Sequence, residues 1–339
     1  MNKGTSPSPL DPQLAAIVAA IRAAKAPAPF SGTPDEARER MARAVMAGRA
    51  HGTLPAVGNI EDALARAEGL VVPVRIYRPI DAAMPLPTVL FFHGGGFVLG
   101  SVELMDDIAR KLCGDLQAVV VSVEYRLAPE HPFPAAHDDA RAATLWVLEQ
   151  VQALGGDAQQ VGIVGESAGA NLAASTALTL RDRGPGLAAQ LLIVPGVDLA
   201  RDVAQIAASG RDYPMLSAND LAEIARLYIG NTPTYAMQMP ASPLRANTLV
   251  GAPPTVIAVA GHDPLRDEGL VYAQRLRADG VPVQVLDFPD MFHPFLGFFA
   301  KSDAAQRAFE SACKAFVGLL RRTTQVQKRS FSPQQGDKP

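Results

Sequence analysis

From residue 71 onward the chain alternates short apolar, β-branched runs with helix-like stretches, and that alternation limits the fold more than anything else in the sequence. The β-rich runs lie at 71–77, 88–92, 118–123, 161–164, 189–194, 255–260 and 283–288. Helix-like stretches such as 138–151, 171–181 and 269–278 stand between most of them. Strands that are apolar on both faces belong in a sheet covered on both sides, and strands joined through helices run parallel. The sequence therefore predicts an α/β fold with a mostly parallel central sheet.

Two regions break the rhythm. The first eighty or so residues read as helical around 14–24 and 34–47, punctuated by Pro27, Pro29, Gly48, Gly52 and Pro55, and they look like an appendage, not a sheet. The segment 198–254 has one helix-like stretch at 219–228 and no clear strand, and it is too long for a plain connection. We expect it to join the N-terminal helices as a cap over the sheet's C-terminal edge, where open α/β folds bind ligands. This divides the chain into cap segments 1–55 and 198–247, a body made of 56–197 with 248–322, and a polar tail 323–339 expected to be disordered after a final helix near 304–320.

Composition excludes several partners. The 31 basic and 34 acidic residues leave a net charge of -3 with no dense basic stripe, so nucleic acid is not an expected partner. The apolar stretch 15–21 is too short to span a bilayer and lacks the flanks of a signal peptide, and no run of about 18 uninterrupted apolar residues occurs elsewhere. Membrane insertion is not expected, and the cytoplasm is the default location. The two cysteines, Cys113 and Cys313, sit in apolar, helix-like sequence and read as buried thiols. No His/Cys cluster has metal-ligand spacing, so neither metal nor organic cofactor is expected. A homo-oligomer is left open.

The chemistry begins at 161–169, where an apolar strand runs into Gly165-Glu166-Ser167-Ala168-Gly169 and then into a helix. That context is the one a nucleophile elbow requires, because small residues on either side let the backbone turn sharply and leave the serine hydroxyl above the sheet. The second signal is His93-Gly94-Gly95-Gly96, directly after the strand at 88–92. Successive N–H groups on a backbone without side chains can converge on an oxyanion, and with Ala168 N–H the candidate donors are Gly94, Gly95, Gly96 and Ala168. His93 itself reads as a residue that holds the loop.

Ser167 needs a base, and six histidines compete. His51 lies in the appendage, His131 and His137 stand near a helix start between earlier strands, and His262 is next to a carboxylate at a strand end. His293 follows the last strand, which suits the chain order serine, acid, histidine. The orienting carboxylate should lie between Ser167 and His293 at a strand end. Asp263 meets both conditions, with Asp198, Asp287 and Asp290 as rivals.

Taken together with Tyr125-Arg126-Leu127-Ala128-Pro129-Glu130-His131-Pro132-Phe133-Pro134-Ala135 and Asp263-Pro264-Leu265-Arg266-Asp267-Glu268, these motifs resemble the hormone-sensitive-lipase-like (bacterial family IV) esterases of the α/β-hydrolase superfamily over roughly 71–320. The resemblance implies a Ser167, Asp263, His293 triad, an oxyanion hole in the glycine loop and a helical cap. It also implies hydrolysis of a small-molecule carboxylic ester. Glu166 stands where the family usually has Asp, Ala170 where Gly is frequent, and Pro294 where Gly commonly follows the histidine. Pro294 removes an N–H and stiffens the backbone beside the base.

Under the cap, Phe97, Tyr213, Met215, Leu216 and Tyr228 are candidate substrate-binding residues, with Leu227 beside them, although the same side chains could simply pack the cap to the body. Two other readings share the fold: a ligand-binding receptor without turnover, and an amidase or acyltransferase using the same triad. Turnover of a nitrophenyl ester separates the first of these from an esterase.

Overall fold

The structure, a computed structural model, describes residues 8–49, 52, 54–182 and 186–330, with side chains as far as 322. Eight strands form one sheet: β1 Asn59–Ala67, β2 Leu70–Arg78, β3 Leu86–Phe92, β4 Val119–Val123, β5 Gly156–Glu166, β6 Ala189–Ile193, β7 Thr255–His262 and β8 Val283–Phe292. Their order is β1-β2-β4-β3-β5-β6-β7-β8. β1 and β2 are antiparallel to their neighbours, and every pairing from β4 to β8 is parallel.

The helices are α1 Pro12–Ala23, α2 Pro34–Arg49, α3 Asp106–Leu116, α4 Ala135–Gln150, α5 Ala168–Leu180, α6 Val203–Ala208, α7 Ala218–Ile229, α8 Arg266–Ala278 and α9 Asp303–Ser330. α9 continues into the stretch where the sequence suggests a disordered tail, and 331–339 lie outside the described residues. Both cysteines are buried free thiols.

The pleat sorts each apolar run onto two cores. In β3, Leu90 and Phe92 face one side while Val89 and Phe91 face the other, and in β7 Ile257 and Val259 alternate with Val256, Ala258 and Ala260 in the same way. One face carries α4, α5, α7 and α8 side chains, among them Val147, Leu172, Ile224 and Tyr272. The other carries Leu14 of α1, Leu112 of α3 and Phe316 of α9. Runs without hydrophobic alternation are what two covered faces demand.

The reading of the first eighty or so residues as a helical appendage with no strand before 71 is corrected by β1. Its sequence, rich in alanine and acids, carries little β propensity. It becomes a strand by pairing along its whole length with β2 through a hairpin whose turn residues, Glu68 and Gly69, both have positive φ (49° and 77°), as a type I′ turn requires.

The long break at 198–254 is helical, with α6, α7 and two short 3-10 turns. Ser217 and Asp220 form a capping box that starts α7, and Asp220 also accepts the Phe30 N–H at 3.3 Å, which ties this segment to the N-terminal one. α2 is anchored to the body by Arg38. Its guanidinium donates to the Val98 and Ala128 carbonyls (2.9 and 2.8 Å) and pairs with Glu130 at 2.7 Å. Among the described residues no helix is long and apolar enough to cross a membrane.

Candidate active site

β4 lies on one side of β3 and β5 on the other, so the connections leaving β3 and β5 diverge and open a crevice at their C-terminal ends. Both motifs with candidate chemistry sit at that crevice. β5 ends at Glu166, α5 begins at Ala168, and Ser167 between them has φ 57° and ψ −117°. An L-residue adopts such a backbone only where the surroundings enforce it. Here the enforcement is close approach: a Cβ on Gly165 would run into the Gly169 carbonyl, and one on Gly169 into the Phe92 carbonyl of β3.

His293 directly follows β8, which runs to Phe292, farther than its apolar run suggests, and Asp263 directly follows β7. The three side chains meet from separate loops and are all buried. His293 Nε2 is 2.8 Å from Ser167 Oγ, and His293 Nδ1 is 3.1 Å from Asp263 Oδ2. An ionised carboxylate can only accept, so Nδ1 carries the proton and donates to Asp263, leaving Nε2 to accept from the serine hydroxyl. Asp263 is steadied in turn by the Leu265 N–H on Oδ1 at 2.8 Å.

Two of the three rival carboxylates are engaged elsewhere. Asp198 forms a two-pronged pair with Arg245 (2.7 and 3.0 Å), and Asp287 pairs with Arg266. Asp287 and Asp290 both lie within β8. Among the rival histidines, His51 lies outside the described residues. His93 is fully buried, stacks on Tyr125, and donates from Nδ1 to the Gly94 carbonyl at 2.7 Å, while Tyr125 Oη donates to the His93 carbonyl. Burial lowers its pKa to about 4, so it stays neutral and holds the loop. His137 bridges Tyr228 Oη (2.6 Å) and Asn171 Oδ1 (3.0 Å), and burial lowers it likewise to about 4. His262 reaches the Ser8 carbonyl.

The glycine loop lies against the elbow. A Cβ on Gly94 would stand 3.5 Å from Ser167 Cβ, and Gly95, Gly96 and Phe97 all have positive φ (123°, 61° and 63°). A Cβ on Gly95 would collide with the Leu99 carbonyl. One on Gly96 would stand 2.7 Å from Ile224 Cδ1 of α7 and 2.9 Å from Phe30 Cζ, so both helical segments close on this loop. Sequence reasoning missed Ile224 and Phe30, because nothing in a lone aliphatic or aromatic residue says which loop it will cover.

The residues expected to line a pocket divide. Phe97 and Tyr228 are buried and stacked on each other (centroids 4.0 Å apart), so they join α7 to the glycine loop. Leu216 is buried and Met215 packs beside the α1 core. Tyr213 lines a cavity of about 550 Å³ with Val18, Arg22, Arg211 and His262, between α1 and the end of β7.

Residues 89–297 match the family described as alpha/beta hydrolase fold. Esterase LipI of Mycobacterium tuberculosis is 40% identical over 70% of this chain and 75% of its own. An ethyl acetate hydrolase of Pseudomonas putida is 35% identical over 85% of this chain and 92% of its own. Among solved structures, a hyperthermophilic esterase from the archaeon Pyrobaculum calidifontis superposes with a TM-score of 0.84 at 36% identity, over 92% of this chain and 99% of that one.

Proposed function

Since the chain belongs to the hormone-sensitive-lipase-like esterases of the α/β-hydrolase fold and is a serine carboxylesterase, we propose that Ser167, His293 and Asp263 form its catalytic triad and work through an acyl-enzyme. The observation that carries this is the hydrogen-bonded chain from Ser167 Oγ through the imidazole to Asp263, closed between residues 126 and 30 positions apart in sequence.

In this reading Ser167 Oγ attacks the ester carbonyl carbon while His293 Nε2 takes its proton, and Asp263 stabilises the resulting imidazolium. The carbonyl oxygen becomes an oxyanion held by N–H groups of the Gly94–Gly96 loop and of Ala168 at the start of α5. Collapse of the tetrahedral intermediate breaks the bond to the alcohol oxygen, which receives the proton from His293. Water then attacks the acyl-enzyme, giving its proton to the same Nε2, and the acid leaves with Ser167 restored. A fluorophosphonate probe tests the assignment: its adduct is expected on the peptide containing Ser167, and an adduct on another serine in the active protein would refute it.

The segments carrying α1, α2 and α6–α7 form the cap in this proposal, and they imply a limit on acyl length. Each methylene buried in an apolar pocket contributes roughly 0.8 kcal/mol until the wall is reached. With Ile224 and Phe30 pressed against the glycine loop, the wall is near, and esters with acyl chains of about two to eight carbons are expected to be preferred over long ones. Measuring kcat/KM for nitrophenyl esters from acetate to palmitate checks this, and Ile224→Ala is expected to move the optimum to longer chains. A maximum at palmitate in the unaltered protein would contradict the proposal.

A further inference from the structure

The triad leaves one buried carboxylate in the crevice without a role. Glu166, the residue before the nucleophile, is 3% exposed, and among the described residues no Lys or Arg pairs with it. Its Oε1 accepts the Leu296 N–H at 3.2 Å, and Leu296 opens the short turn that follows His293. Its Oε2 faces the glycine loop, 3.4 Å from where a Cβ on Gly94 would be. One side chain therefore touches the elbow, the base's own loop and the edge of the glycine loop.

We propose, resting on the triad reading above, that Glu166 is a positioning residue: it holds the His293 loop through Leu296 and, when ionised, adds a second negative charge that favours the imidazolium formed during attack on the ester. Its surroundings make that charge conditional. Burial raises its pKa to about 7; His293 and the Leu296 N–H oppose the rise, while Asp107 on α3 and Asp263 after β7 add to it. Asp107 is itself engaged by Arg49 at 3.2 Å. Protonated Glu166 still accepts the Leu296 N–H but supplies no charge, so the loop is held at every pH whereas the electrostatic help arrives only as pH rises through that range.

Glu166→Gln imitates the protonated acid: an amide oxygen remains for Leu296, an N–H group replaces the hydroxyl, and the charge is gone. The test is kcat for an activated ester from pH 5.5 to 9, expressed as the ratio of unaltered protein to variant, with folding checked by circular dichroism. The ratio is expected to be near one in acid and to climb to about tenfold above neutrality, as removing one buried charge close to the imidazolium implies, with little change in KM. A ratio that does not vary with pH would overturn the proposal. Glu166→Asp keeps the charge, is intrinsically the more acidic side chain and shortens the reach to Leu296, so its ratio is expected to lack the climb to about tenfold above neutrality, and a climb of that size would equally overturn the proposal, whether or not the glutamine variant folds. Ser167→Ala run in parallel separates the two levels of inference: full activity there refutes the triad itself, whatever Glu166 does.

Discussion

Replacing Ser167 by alanine is expected to lower kcat by about a million-fold, because nucleophile and base act as a unit and removing either forfeits covalent catalysis altogether. What remains is the rate that oriented backbone donors alone give to attack by water. The fold should survive. Ser167 accepts backbone bonds through its carbonyl, from Ala170, Asn171 and Gly196, and alanine keeps that carbonyl; the positive φ of the elbow is costly for either residue. Burst kinetics with a nitrophenyl ester, together with a thermal melt, separate loss of chemistry from loss of structure. An activity loss below about a hundredfold in a folded variant would remove Ser167 from the reaction.

Replacing Asp263 by asparagine is expected to cost about four orders of magnitude in kcat while leaving the geometry nearly intact. The amide can present an N–H where the carboxylate accepts, so Nδ1 no longer needs its proton, and the tautomer with Nε2 protonated cannot take one from Ser167. The negative charge that stabilises the imidazolium is lost as well. Asp198→Asn is the control, since Asp198 serves Arg245 and the Ala200 N–H and not the base. It should be far milder in activity and visible mainly in the melting temperature. The reverse ranking in folded proteins would mean that the orienting carboxylate had been assigned wrongly.

Legibility differed from residue to residue. The apolar run at 88–92 was readable as a strand because both of its faces are covered, and the run at 161–164, although shorter than β5, marked the strand that leads into the turn at Ser167. β1 was not readable: its alanines and acids suit a helix, and only the partner strand β2 makes it extended. Tyr228 was a candidate for the pocket wall from its place in the long helical break at 198–254. That it would stack on Phe97 and bond to His137 depended on three elements converging.

Local chemistry in the sequence was enough for everything that one segment decides alone. The strand, turn and helix around Ser167 follow from apolar residues flanked by glycines, and the side-chain-free loop at Gly94–Gly96 follows from its composition. The order serine, acid, histidine and the strand-end positions of Asp263 and His293 narrowed the triad candidates, but four carboxylates remained in play. Only the tertiary structure brings Asp263 to His293 Nδ1 while Arg245 and Arg266 engage Asp198 and Asp287. Only it sets Ile224 and Phe30 against the glycine loop, and only it buries Glu166 beneath the base's loop. Which charge is desolvated, which is paired and which faces a base depends on contacts between residues far apart in the chain, and these arise only when the two layers of helices close on the sheet.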